Sequence, residues 1–162
     1  MPVVQFWSEH HCSFFSKGGL QYIIRIMKKL LKYWVPPIIW ACVIFVVSAH
    51  PLAKTSQIYW KDFIIKKTAH MIEYGIFAAL IYRGLVASGV KKNNAGIYSI
   101  LLALLYGVTD EFHQSYTPGR EPRVRDVVFD TIGAILTIYS IWNLLPKAPE
   151  RLRAWAKKLQ LI

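Results

Sequence analysis

The sequence has only two cysteines, Cys12 and Cys42, the second inside an apolar run. Two thiols build neither a disulfide framework nor a four-thiolate zinc site. Acid is scarce as well: nine Asp and Glu stand against twenty Lys and Arg, a formal net charge of +11 in 162 residues. Charged residues of either sign make up 18% of the chain and hydrophobic ones 54%. That balance excludes intrinsic disorder and leaves too little polar surface to cover an ordinary soluble domain. The basic residues form no continuous stripe of the kind that tracks a nucleic acid; they flank apolar runs, as in a membrane protein. No nucleic acid is therefore expected as a partner, and membrane lipids are.

Residues 33–53 and 93–109 contain no Asp, Glu, Lys or Arg, and each is close to the ~20 residues that cross about 30 Å of hydrocarbon. Residues 68–90 are apolar apart from His70, Glu73 and Arg83, and residues 127–146 apart from Asp130. The expected fold is all-α, an integral membrane bundle of four transmembrane helices with an N-terminal amphipathic or leader segment. Three regions follow: 1–32 basic leader or amphipathic segment, 33–146 four-helix domain, 147–162 basic tail. Thirteen Lys and Arg lie in the N-terminal segment, the 83–92 turn and the tail, and seven in the other two connections. The bias of positive residues toward the inside places both termini in the cytoplasm of a multi-pass protein of a bacterial cell membrane.

The basic start at Lys28, Lys29 and Lys32, the apolar run after it and Ser48-Ala49 at its end also resemble a secretory signal, but the run is long for a signal core and Pro36-Pro37 suits a helix start. Met27 directly before the basic cluster leaves residues 1–26 open to being a leader outside the domain, and His10-His11-Cys12 within them lacks a fourth metal ligand. Residues 20–32 otherwise read as a helix lying on the membrane, with Ile23, Ile24, Met27 and Leu31 on one face. A short interfacial helix is expected within 56–67, where Ile58, Phe63 and Ile65 alternate with Lys61, Asp62 and Lys66.

Antiparallel threading brings the start of the second span, the end of the third and the start of the fourth to one side of the membrane, and the unusual polar residues are there. His70, Glu73, Tyr74 and Phe77 share a helical face, as do Asp110, His113 and Gln114 with Glu111 beside them. Asp126 and Asp130 are one turn apart, and Pro118-Gly119 reads as a turn carrying Arg120, with Arg123 and Arg125 after it. An ionised residue at the centre of a span costs roughly 2.5–3.5 kcal/mol, so these groups should face one another. The expectation is one connected pocket of His70, Glu73, Asp110, Glu111, His113, Gln114, Arg120 and Asp126, with Asp130 on its floor. The same residues also fit a packing network of carboxylates neutralised by arginines and histidines.

Lys67-Thr68-Ala69-His70-Met71-Ile72-Glu73-Tyr74-Gly75, Asp110-Glu111-Phe112-His113-Gln114, Pro118-Gly119-Arg120 and Asp126 with Gly133 resemble, in order and separation, the motifs of the VanZ-like membrane proteins, and Ser48-Ala49-His50-Pro51 resembles the Ser/Pro segment after that family's first span. Asp130 departs from the family pattern, which has Asn there. The resemblance implies a helical bacterial membrane protein associated with low-level resistance to teicoplanin, a lipid-tailed glycopeptide, and supplies no reaction. Two functions stay open. One is an enzyme working on a phosphate-containing lipid or lipid-linked cell-envelope intermediate. Arg120, Arg123, Arg125 and Lys66 or Lys67 would hold phosphate, and His70 or His113 would serve as acid, base or nucleophile, oriented by Glu73, Glu111 or Asp126. The other is a non-catalytic binder of an amphiphile such as a lipoglycopeptide. Carboxylates at this density can take a divalent ion, although the spacing is not the HExxH zinc-protease pattern. A transporter would need polar residues through the full thickness, and the middles of the first and third spans have almost none.

Overall fold

The computed structural model describes residues 17–49, 59–116 and 123–161. The His10-His11-Cys12 cluster, His50-Pro51 and the Pro118-Gly119-Arg120 turn lie outside the described residues. Those described form helices without strands: α1 (Lys17–Ser48), α2 (Tyr59–Ala87), α3 (Lys92–Gln114), α4 (Val124–Tyr139) and α5 (Glu150–Lys158). A π-helical turn (Ser140–Leu144) and a 3-10 turn (Leu145–Lys147) carry the chain from α4 toward α5. Among the described residues three stretches, Gly19–Ser48, Lys92–Gln114 and Val124–Lys147, are long and apolar enough to cross a membrane.

Two local expectations are corrected. Residues 20–32 are not a separate amphipathic helix: α1 runs unbroken for 32 residues, roughly 48 Å at 1.5 Å per residue, with Pro36 and Pro37 inside it rather than at its start. Proline at 37 removes the N–H that would bond the Tyr33 carbonyl, and that oxygen instead lies against α2, 3.3 Å from where a Cβ on Gly84 would stand. In the segment 56–67, residues 59–67 are helical as expected but form the first turns of α2 rather than a separate interfacial helix, and 56–58 lie outside the described residues.

Helix α2 is the centre of the bundle and packs on α1, α3 and α4, most extensively on α4. That position goes with its load of charge: Lys67, His70, Glu73 and Arg83 are all at least half-buried against its neighbours. Tyr74, Phe77, Ala78, Ile81 and Tyr82 of α2 form the middle of the core. Helix α3 meets them with small residues at every fourth position, Ala95, Ser99, Ala103 and Gly107, all buried. Such a stripe lets backbones approach where apolar burial against lipid gives no driving force. The same face ends in Asp110, Glu111 and Gln114, also buried, while Leu101, Leu105, Val108 and Phe112 point outward. Hydrogen bonds from Trp40 Nε1 to the Glu73 carbonyl (3.0 Å) and from the Tyr106 hydroxyl to the Ala41 carbonyl (2.6 Å) tie α1 to α2 and α3. Beyond the last residue of α2, Ala87, Gly89 takes φ +95° and Val90 N–H bonds the Leu85 carbonyl at 3.1 Å, the left-handed stop that glycine makes cheaply.

Candidate functional site

Side chains from all four long helices join at one end of the bundle. The Ser48 hydroxyl, at the end of α1, donates to Asp110 Oδ2 of α3 at 2.7 Å, and Gln114 Nε2, one turn on, donates to the same oxygen at 2.9 Å. Helix α2 meets α4 through two carboxylate contacts, Lys67 Nζ to Asp126 Oδ2 at 2.5 Å and His70 Nδ1 to Asp130 Oδ1 at 3.6 Å. The backbone N–H of Arg123, just before α4, donates to Glu111 Oε2 of α3 at 2.9 Å. His113 stacks on Phe45 of α1 with ring centroids 4.0 Å apart.

These contacts form two layers. Lys67 and Asp126 lie nearer the helix ends, with Arg125 Nε 3.6 Å from Asp126 Oδ1 and its guanidinium over Phe63. One turn deeper are His70, Asp130, Asp110 and the Tyr74 ring, whose edge and Asp130 Oδ2 both lie beside Gly107, 3.5 and 3.7 Å from where its Cβ would be. A methyl group at 107 would meet both in ordinary contact. Polar capacity exceeds the bonds made: among the described residues His70 Nδ1, Tyr74 OH, Asp110 Oδ1, His113 Nδ1, Asp126 Oδ1 and Asp130 Oδ1 are buried without a hydrogen-bond partner. Buried polar atoms are ordinarily paired, since leaving one unpaired costs about 1–3 kcal/mol.

Of the residues expected from sequence, Asp110 and Gln114, His70 and Asp130, Glu111 and Asp126 take part in this polar end, with His113 packed at its α1 side. Arg120 lies outside the described residues. Glu73 stands apart from the paired carboxylates: with Lys66, His70, Trp40, Val47 and Ile76 it lines a cleft of about 490 Å³ between α1 and α2. His70 thus borders both the carboxylate layer and this cleft. Ser48 is a partner that sequence reasoning did not assign to the site; its signal was a lone hydroxyl at the end of the apolar second half of α1. Among the described residues no group of three or more His, Cys, Asp or Glu is arranged to hold a metal ion, so no chemistry is derived through one.

The model of the VanZ/LLP1 family matches residues 22–145. The chain belongs to the VanZ/LLP1 family. The matched segment contains α1 from Tyr22, all of α2, α3 and α4, and the π-helical turn, so the polar end lies within the match and α5 falls beyond it. No curated protein and no solved structure matches the chain.

Proposed function

We propose that this VanZ/LLP1 protein binds or transforms a phosphate-containing lipid or lipid-linked envelope molecule at the outer face of a bacterial membrane, and that low-level glycopeptide resistance is the cellular readout. The observation that carries this reading is the position of His70. One side of the residue meets Asp130, and it also lines an apolar cleft of about 490 Å³, a size within the roughly 300–1,000 Å³ of small-molecule sites. An amphiphile fits such a place, its chain along Trp40, Val47 and Ile76 and its head toward Lys66 and His70.

Asp130 Oδ1 stands 3.6 Å from His70 Nδ1; closing that gap would let the carboxylate accept the Nδ1 proton and fix the tautomer, leaving Nε2 as the atom that takes or gives a proton. His113, stacked on Phe45, is better suited to holding α3 against α1. Arg120, Arg123 and Arg125 would supply guanidinium groups for phosphate oxygens. In the same reading Ser48, Asp110 and Gln114 serve packing, because their bonds tie α1 to α3 whatever the ligand.

The experiment compares His70→Gln and Asp130→Asn with His113→Gln in the full chain, reading teicoplanin tolerance of expressing cells and the phospholipid that copurifies. Loss of tolerance in the first two with lipid retained supports chemistry after binding; loss of both supports a binder. If both variants keep tolerance and lipid while melting at lower temperature, the packing network is the right account.

The proposed topology has four spans, α1 to α4, and both termini in the cytoplasm. In a chain lacking Cys12 and Cys42, a cysteine at position 57 should react with a membrane-impermeant thiol reagent in intact cells, and one at position 91 should not. Labelling at 91 alone would invert the topology.

A further inference from the structure

At the end of the bundle away from the polar cluster, charge is almost entirely of one sign. Residues 17–32, 83–92 and 147–161 together hold thirteen Lys and Arg and one acid, Glu150, which Arg153 already approaches at 3.8 Å. Helix α5 lies here, outside the family match, and it is fastened to the bundle. The Tyr33 hydroxyl of α1 donates to Gln160 Oε1, Ala156 is buried, and Leu161 packs against the core. Its exposed side chains include Leu152 and Trp155, the latter 67% exposed, together with Arg151, Lys157 and Lys158. Trp beside apolar and basic side chains is the composition of a helix in the plane of a membrane interface.

Fastening α5 in this way leaves a preformed cleft of about 500 Å³ between it and α4, lined by Ala79, Leu136, Ile141, Leu145, Leu152 and Leu161. Its few polar atoms include the Ser140 hydroxyl, already donating to the Leu136 carbonyl at 2.7 Å. The lining therefore favours a hydrocarbon chain over a polar ligand. Ala148 and Leu152 also line the cleft, and the residues before each are Lys147 and Arg151, both exposed. We propose that this cleft seats an acyl chain of an anionic phospholipid, with Lys147 and Arg151 holding its phosphate. The charge selects the occupant: with thirteen basic residues and one paired acid at this end, an anionic headgroup is favoured over a zwitterionic one. The site is separate from the His70 cleft and does not depend on what that cleft binds.

Native mass spectrometry of the detergent-purified full chain, supplied with equal amounts of phosphatidylglycerol and phosphatidylcholine, tests this without any substitution. Phosphatidylglycerol should be retained in preference by roughly fivefold or more, the factor expected from one basic side chain at an anionic surface. Lys147→Gln with Arg151→Gln should remove that preference, and Ala148→Trp, which fills the cleft, should lower retention of both lipids. Equal retention of the two lipids by the unaltered chain overturns the proposal. So does a preference that survives the Lys147/Arg151 change, and so does a lipid-free dimer as the species in which the cleft is covered.

Discussion

Gly133→Val is expected to leave no folded protein in the membrane fraction, and Gly133→Ala to lower the melting temperature sharply. A Cβ at position 133 of α4 would fall on the carbonyl group of Met71 in α2, which is backbone and has no rotamer to move into. Near it, a Cβ on Gly75 would stand 2.5 Å from Thr137 Oγ1 and 3.3 Å from the Gly133 carbonyl oxygen. The two helices therefore cross backbone to backbone, and any side chain here must separate them along the bundle's largest interface. Overpacking a core by a methyl group or two typically costs about 1–3 kcal/mol when side chains can yield. With backbone as the obstacle, about 3 kcal/mol or more is expected for Ala and a larger loss for Val, against total stabilities of about 5–15 kcal/mol. Thermal unfolding of the detergent-solubilised Ala variant, together with expression of the Val variant, checks this; an Ala variant within about 1 kcal/mol of the unaltered chain refutes the close crossing.

The second large effect is expected at Asp126. Asp126→Asn removes the carboxylate that Lys67 meets at 2.5 Å, where the two side chains are only 13% and 19% exposed. Lys67 is then left largely out of water, over the Phe63 ring at 5.8 Å. Breaking one side of a buried pair costs about 3–5 kcal/mol, and partial exposure puts this case near about 3. Lys67→Met with Asp126→Leu should recover most of that loss, since an apolar pair of similar volume needs no neutralisation. The double replacement also separates the roles these residues have as support and as site. A double variant that is stable yet loses teicoplanin tolerance assigns the pair to function. A stable double variant with tolerance intact assigns it to packing.

Much of the candidate site was legible because it is built from local spacings. Asp110 with Gln114, and Asp126 with Asp130, sit one helical turn apart, so their common faces follow from the 3.6-residue repeat wherever the helices end up. Glu73 shows the limit of that argument. Three residues from His70 it shares a general face, yet it lines the α1–α2 cleft while His70 also reaches the carboxylate layer. Three residues span 300° of rotation, and which neighbour lies across the remaining gap decides which group each side chain meets. The small-residue stripe Ala95, Ser99, Ala103 and Gly107 was also present in the sequence at four-residue spacing, running directly into Asp110 and Glu111. It marked in advance which face of α3 turns inward.

The sequence by itself determined that this chain is helical, suited to a membrane and of the VanZ/LLP1 family, because apolar run length, charge placement and motif order are properties of contiguous residues. Tertiary structure alone decided that Lys67 meets Asp126, that His70 rather than His113 stands beside Asp130, and that Ser48 belongs to the polar end. It also decided that α2, rich in charge for a buried helix, is the central one, and that Gly133 lies on the Met71 backbone. Each of these depends on the relative rotation and depth of two helices distant in sequence. Those are set by how small and large side chains interlock along the whole interface, which no local spacing encodes.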